Sequence, residues 1–140
     1  IFNTYGPRMR INDGRVLPTF IKQASDNENI TVNGDGYQTR SFCYIDDLID
    51  GIFKLMISDY AYPVNIGNDH EVTINDIASL IISILNSKSK IIYKKLPQDD
   101  PLKRKPDLTL ANKILKWTPK VKNENGFKML IEYYKKNNLI

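Results

Sequence analysis

The side chains best suited to chemistry fall in three short stretches. In the first, IFNTYGPRMRINDGRVLPTF (residues 1–20), Asn3 and Thr4 precede a Gly6-Pro7 stop, and Arg8, Arg10 and Arg15 surround the turn Asn12-Asp13-Gly14. The apolar pair Ile1-Phe2 reads as the end of a strand, which Pro7 terminates because it has no N–H for a ladder. In an open α/β sheet, ligands sit at the carboxyl ends of strands. A guanidinium there offers a planar fork that matches phosphate or carboxylate oxygens. Asn3 and Thr4 also suit simple strand-end capping, and a loop arginine also suits solvation. In the second stretch, Arg40 opens RSFCYI (residues 40–45) directly after the turn Asn33-Gly34-Asp35-Gly36. An ion pair with Asp46 or Asp47 is its structural alternative to anion binding. In the third, Asp99-Asp100-Pro101 is followed by Arg104 and Pro106-Asp107. Carboxylates accept ribose hydroxyls, and an arginine four residues beyond Asp100 offsets phosphate charge. Paired acids also raise a metal site, but His70 stands alone in another loop, so metal is the weaker reading.

Composition narrows the class. The chain has 140 residues, 41% hydrophobic and 26% charged, which fits one soluble globular domain and argues against disorder. Twenty Lys+Arg against 16 Asp+Glu leave a charge of +4, a balance suited to an anionic partner such as a nucleoside diphosphate. The single cysteine, Cys43, excludes an internal disulfide and fits a cytoplasmic setting. No apolar run approaches the roughly 20 residues of a membrane span, and no signal peptide is expected at the start. The lysine-rich segments 88–95 and 103–122 are interleaved with acids, which favours solvated surface over nucleic-acid binding.

The elements that must position these groups are helices and short strands in alternation. Val16, Phe20, Ile21 and Ala24 predict a helix over 16–27, with Pro18 confined to its first turn. A short strand at 30–32 leads through the Asn/Gly turn to a second strand at 40–45. Asp46-Asp47 is expected to cap a helix over 48–58, with Leu48, Ile52, Leu55 and Met56 on one face. PVNIG (63–67) reads as a buried strand. Thr73 with Asp76 predicts a capped helix reaching Leu85. Residues 90–96 read as a strand, 98–106 as a polar loop, and Asp107 as the cap of a short helix. Trp117-Thr118-Pro119 then breaks it before a last helix over 126–137. Gly34-Asp35-Gly36 is not a dinucleotide phosphate loop, since Thr39 holds the place of a third glycine and the segment is a hairpin turn.

The three stretches, with NDGRV at 12–16, GDGYQTRSFCYIDDLIDGI at 34–52 and QDDPLKRKPDLTLANKILKW at 98–117, resemble the extended short-chain dehydrogenase/reductase (NAD-dependent epimerase/dehydratase) family. The pattern is closest to its UDP-glucuronate decarboxylases (UDP-xylose synthases) and covers only the carboxyl-terminal portion of such an enzyme. The resemblance implies an α/β chain: a carboxyl-terminal substrate-binding lobe plus the last strands of an incomplete NAD-binding Rossmann sheet. Residues 1–5 and 40–67 would be sheet pieces; 8–36 and 71–140 would be mostly lobe. It places Thr4, Arg10 and Arg15 beside NAD, and Asn3, Arg15, Arg40, Asp100 and Arg104 on the UDP-sugar substrate. At Arg10 many relatives carry histidine or asparagine. The full enzyme would oxidise C4 of the sugar with tightly bound NAD, lose CO₂ from the β-keto acid, and reduce the ketone to UDP-xylose. In this family a tyrosine followed four residues later by lysine does the acid/base work. None of the eight tyrosines here has that partner, so no catalytic residue is expected in this chain, which alone would bind without catalysing. A UDP-sugar epimerase, a 4,6-dehydratase, or a non-catalytic interaction or nucleic-acid-binding module are the alternatives. An incomplete sheet has open edges and an uncovered apolar face, which predicts a homo-oligomer, most simply a dimer.

Overall fold

A computed structural model describes residues 1–96 and 101–140. The opening strand is short: β1 is Thr4–Tyr5. Helix α1 (Val16–Ser25) follows, with Pro18 in its first turn, where a missing N–H costs nothing. Strand β2 (Ile30–Asn33) buries Ile30 and Val32 and turns Thr31 and Asn33 the other way, as period-two alternation requires. Gly34 and Gly36, both at positive φ (+73° and +77°), make the turn into β3 (Thr39–Ser41).

The expected strand over 40–45 divides. Strand β3 ends at Ser41 and β4 occupies Cys43–Tyr44, because one aromatic run serves two sheets. Strand β4 pairs parallel with β1 (Thr4↔Cys43, Tyr5↔Tyr44). At the junction, the Phe42 carbonyl accepts from Asn68 Nδ2 at 2.9 Å instead of from a neighbouring strand. Strand β3 is central in a three-stranded sheet, antiparallel to β5 (Glu71–Thr73) and parallel to β7 (Lys103–Arg104). Strand β6 (Ile91–Lys94) pairs parallel with β2.

Helix α2 runs Ile45–Met56, three residues earlier than its acidic pair predicts. Asp46 and Asp47 lie inside the first turn and make no cap. Buried Asp47 is engaged elsewhere: its Oδ2 accepts the backbone N–H groups of Lys120 and Val121 at 3.0 and 2.8 Å. PVNIG is not a strand. Ile66 anchors that segment in the core, and Asn65 Nδ2 donates to the Asp107 carbonyl at 3.2 Å. Helix α3 (Ile74–Leu85) has the expected cap, with Thr73 Oγ1 accepting from the Asp76 N–H at 3.0 Å. Short β7 lies where a polar loop is expected. Helix α4 (Thr109–Leu115) follows, and the Asp107 carboxylate accepts the Thr109 N–H at 2.8 Å, although Leu108 holds the cap position. Helix α5 (Asn123–Lys136) starts three residues before the predicted boundary.

Two apolar cores result. The larger joins α1, α3 and α5 to β2 and to the aromatic residues of the β1–β4 pair. Tyr5 meets Phe42, Tyr44 and Phe127 edge-on at centroid distances of 6.2, 5.6 and 5.1 Å, fixing the sheet piece to α5. In the smaller core, Trp117 packs with Leu48, Ile66, Leu108 and Leu115, between α2 and α4. Trp117 therefore plugs this second core. No helix among the described residues is long and apolar enough to cross a membrane.

Candidate functional site

A cavity of about 710 Å³ opens between the end of β1, the start of α1 and the outward side of β2–β3. Four of the sequence-predicted residues line it: Asn3, Thr4, Arg15 and Arg40. Asn3 and Thr4 arrive there because β1 stops against Gly6-Pro7. The Asn3 carbonyl accepts the Cys43 N–H at 3.0 Å, and Thr4 Oγ1 donates to the Phe2 carbonyl at 3.0 Å. Arg15 stands at the amino end of α1. Arg40 Nη1 donates to the Thr39 carbonyl at 2.8 Å.

Arg104 is brought to the same sheet by β7. The parallel register sets it directly beside Arg40, so both guanidinium stems leave one face of the sheet. Neighbouring Lys103 takes the opposite face, where its Nζ lies 3.2 Å from Glu71. The Thr39 hydroxyl, donating to Glu71 at 2.7 Å, and the lysine hold that carboxyl below its ordinary value. A larger groove of about 1270 Å³, lined by Lys103, Lys105, His70 and Lys120, takes in only Asp107 of the sequence-selected groups. The smaller cavity gathers Asn3, Thr4, Arg15 and Arg40, while Arg104 lies beside Arg40 in the sheet without lining either cavity.

Arg10 is exposed and is not part of the cavity wall. Asp100 lies outside the described residues. Polar residues that sequence reasoning did not single out also line the cavity with the arginines, among them Thr19, Thr31, Asn33 and Gln38. Gln23 fixes Thr31 through both groups of its amide, at 3.0 and 3.1 Å. Gln38 is 6% exposed and donates to the Asn33 carbonyl at 2.6 Å. The polar side of β2, Thr31 and Asn33 alternating with Ile30 and Val32, was the available signal.

The Cys43 thiol and the Tyr134 hydroxyl near the site are held in their neutral forms. Burial, then the charge of Asp47, pushes the Cys43 thiol up to about 12. Tyr134 is pushed up to about 12 by burial and by Asp13, partly opposed by Arg15, and its hydroxyl donates to the Met9 carbonyl at 3.0 Å. That bond ties the arginine-bearing loop to α5. Such a set can bind and orient an anion. Among the described residues it contains neither a tyrosine–lysine proton-transfer pair nor a glycine loop for a dinucleotide pyrophosphate. Gly34 and Gly36 sit in a hairpin turn, so the residues present fit the edge of a dinucleotide site and not its phosphate cradle.

The mixed α/β fold with small parallel sheets is similar to that of Rossmann-type epimerases and consistent with part of an NAD-binding domain. The chain is similar over 98% of its length to UDP-glucose 4-epimerase of Thermotoga maritima, solved with UDP-glucose (TM-score 0.92, 30% identity, 45% of that chain). UDP-glucuronic acid 4-epimerase of Bacillus cereus, solved with UDP-glucuronic acid and NAD, matches over 97% (TM-score 0.88, 29% identity, 44% of that chain). The model of the NAD dependent epimerase/dehydratase family matches residues 1–67 of the chain. Its curated relatives include UDP-glucuronic acid decarboxylase 5 of Arabidopsis thaliana, 46% identical over 96% of this chain and 40% of the relative. UDP-glucuronic acid decarboxylase 1 of Danio rerio is 47% identical over 96% of this chain and 32% of the relative. The chain thus spans well under half the length of these relatives.

Proposed function

We propose that this chain is the substrate-binding portion of an NAD-dependent sugar-nucleotide enzyme, a UDP-glucuronate decarboxylase forming UDP-xylose. The observation that carries the reading is the pairing of Arg40 with Arg104 on one sheet face, beside a cavity that also gathers Asn3, Thr4 and Arg15. Two adjacent guanidiniums suit a diphosphate, and the polar end at Thr31, Asn33 and Gln38 suits a nucleoside. Identity to decarboxylases of 41–47% supports that reaction over others of the family. In this reading Asn3 faces the diphosphate, Thr4 and Arg15 border the cofactor, Arg15 also meets the sugar, and Asp100 takes the ribose. The chain's own residues bind and orient; proton transfer belongs to groups it does not carry, so alone it is inactive. Residues 1–5 and 40–67 form the sheet pieces and 8–36 and 71–140 mostly the lobe.

A UDP-sugar 4-epimerase is the second reading, favoured by the structural likeness to two such epimerases. Self-association is part of the proposal, because α2 leaves Phe53 53% and Met56 71% exposed on one apolar face. So is a cytoplasmic setting, which suits the free buried thiol of Cys43. Calorimetric titration with UDP tests the binding reading. Saturable heat, weakened about tenfold or more by Arg40→Ala and by Arg104→Ala, is the expected result. A folded chain that gives no heat with UDP overturns it.

A further inference from the structure

We propose that Asp13 is a positioning residue that presents Arg15 to the carboxylate of a sugar nucleotide, an inference that rests on the sugar-nucleotide reading above. The Asp13 carboxylate is itself locked, since its Oδ1 accepts the Arg15 backbone N–H at 3.0 Å in a tight turn. Its other oxygen, Oδ2, takes Arg15 Nε at 2.7 Å and lies 2.6 Å from Nη2. One carboxylate therefore grips the arginine by both backbone and side chain. A guanidinium has five donors on a rigid plane, so gripping the Nε edge fixes the plane and leaves the Nη1 edge for another acceptor. No protein acceptor meets that edge among the described residues.

Exposure fits this division. The Asp13 side chain is 13% exposed while that of Arg15 is 64% exposed and lines the cavity. Surface ion pairs are ordinarily weak, the exception being a multidentate arginine–carboxylate contact of this kind. The loop under the pair is also held, with Tyr134 donating to the Met9 carbonyl and the Met9 N–H donating to the Gly6 carbonyl at 3.2 Å. A carboxylate this close to an anion site lowers the attraction for any anion. Its gain is orientation, which serves a planar, bidentate acceptor such as a sugar carboxylate more than a diphosphate already facing Arg40 and Arg104.

The test compares the chain with Asp13→Asn by NMR of the arginine Nε–H groups and by titration with UDP, UDP-glucose and UDP-glucuronate. In the unsubstituted chain without ligand, Arg15 is expected to give a resolved Nε–H signal, lost in the variant. The preference for UDP-glucuronate over UDP-glucose is expected to fall about tenfold in the variant, with UDP affinity within about twofold. Asp13→Glu, which cannot keep the short turn contact, should not restore it. An unchanged preference, or tighter UDP-glucuronate binding by Asp13→Asn, overturns the proposal and makes Asp13 a turn residue or a competitor. Equal binding of both sugars by the unsubstituted chain also overturns it while the nucleotide reading stands. Failure to bind any of the three nucleotides removes both.

Discussion

Helices α2 and α3 are both twelve residues long and both carry an apolar stripe, yet only α3 is covered. Helix α3 lies against α1, α5 and β2 and buries Ile74, Ile77, Ala78 and Ile81 completely or nearly so. Helix α2 buries Asp47, Leu48 and Gly51 toward Trp117 and leaves Ile49, Ile52, Phe53, Met56 and Ile57 in solvent. Those five stand at i, i+3, i+4, i+7 and i+8, the spacing of a helix face built to be buried. A stripe thus states that a face exists without stating what meets it. The core around α3 closes on itself; the region of α2, beside a pair of two-residue strands, does not.

Breaking the closed region should cost most. Ile81→Ala in α3 is expected to lower unfolding free energy by about 3 kcal/mol, read from the urea midpoint. Phe53→Ala in α2, also a large apolar truncation, should stay within about 0.5 kcal/mol in a monomeric sample. A matching loss there would mean that the face is already covered in solution. On the inner side of α2 the outcome reverses. A Cβ at Gly51 would run into Ile66 and the Trp117 ring, so Gly51→Ala should destabilise by about 1–3 kcal/mol, although alanine favours a helix by nearly 1 kcal/mol over glycine. Thr73→Ala, which removes the cap of α3, should cost about 1 kcal/mol on the same measurement.

The smallest energetic effect sharpens the contrast most. Ile49→Ser with Phe53→Ser should leave thermal stability nearly unchanged and abolish self-association in light scattering across concentrations. A chain monodisperse and monomeric before substitution would remove the basis for that expectation. Cys43, between the two regions, offers a pH check. Its thiol is raised from 9.0 to about 12, so its contribution to stability is complete below pH 9 and lost as pH rises toward 12. Alkylation of the folded chain at pH 8 should be negligible and should appear only with unfolding.

Much of this was legible in the chain. Helix α3 with its Thr73–Asp76 cap, α1 with Pro18 in its first turn, and the Gly34–Gly36 turn all follow from local rules, because each depends on neighbours within four residues. The anion-binding types at Asn3, Thr4, Arg15, Arg40 and Arg104 were also readable, from strand ends and loop position. The failures were non-local. RSFCYI looked like one strand, but Phe42 is where the chain changes sheets. Asp46-Asp47 looked like a cap, but Asp47 is drawn to two N–H groups more than seventy residues away. PVNIG looked like a strand and found no ladder.

By itself, then, the sequence determined which segments are helical, where the turns fall, and which side chains can receive a phosphate or carboxylate. Tertiary structure alone decided that Arg104 lies beside Arg40, that Arg10 stays outside the cavity, and that Thr31, Asn33 and Gln38 join its wall. Periodicity and capping act over a single turn or strand, within reach of any local pattern. Register between β3 and β7 joins residues more than sixty apart, and only the packing of both cores fixes it.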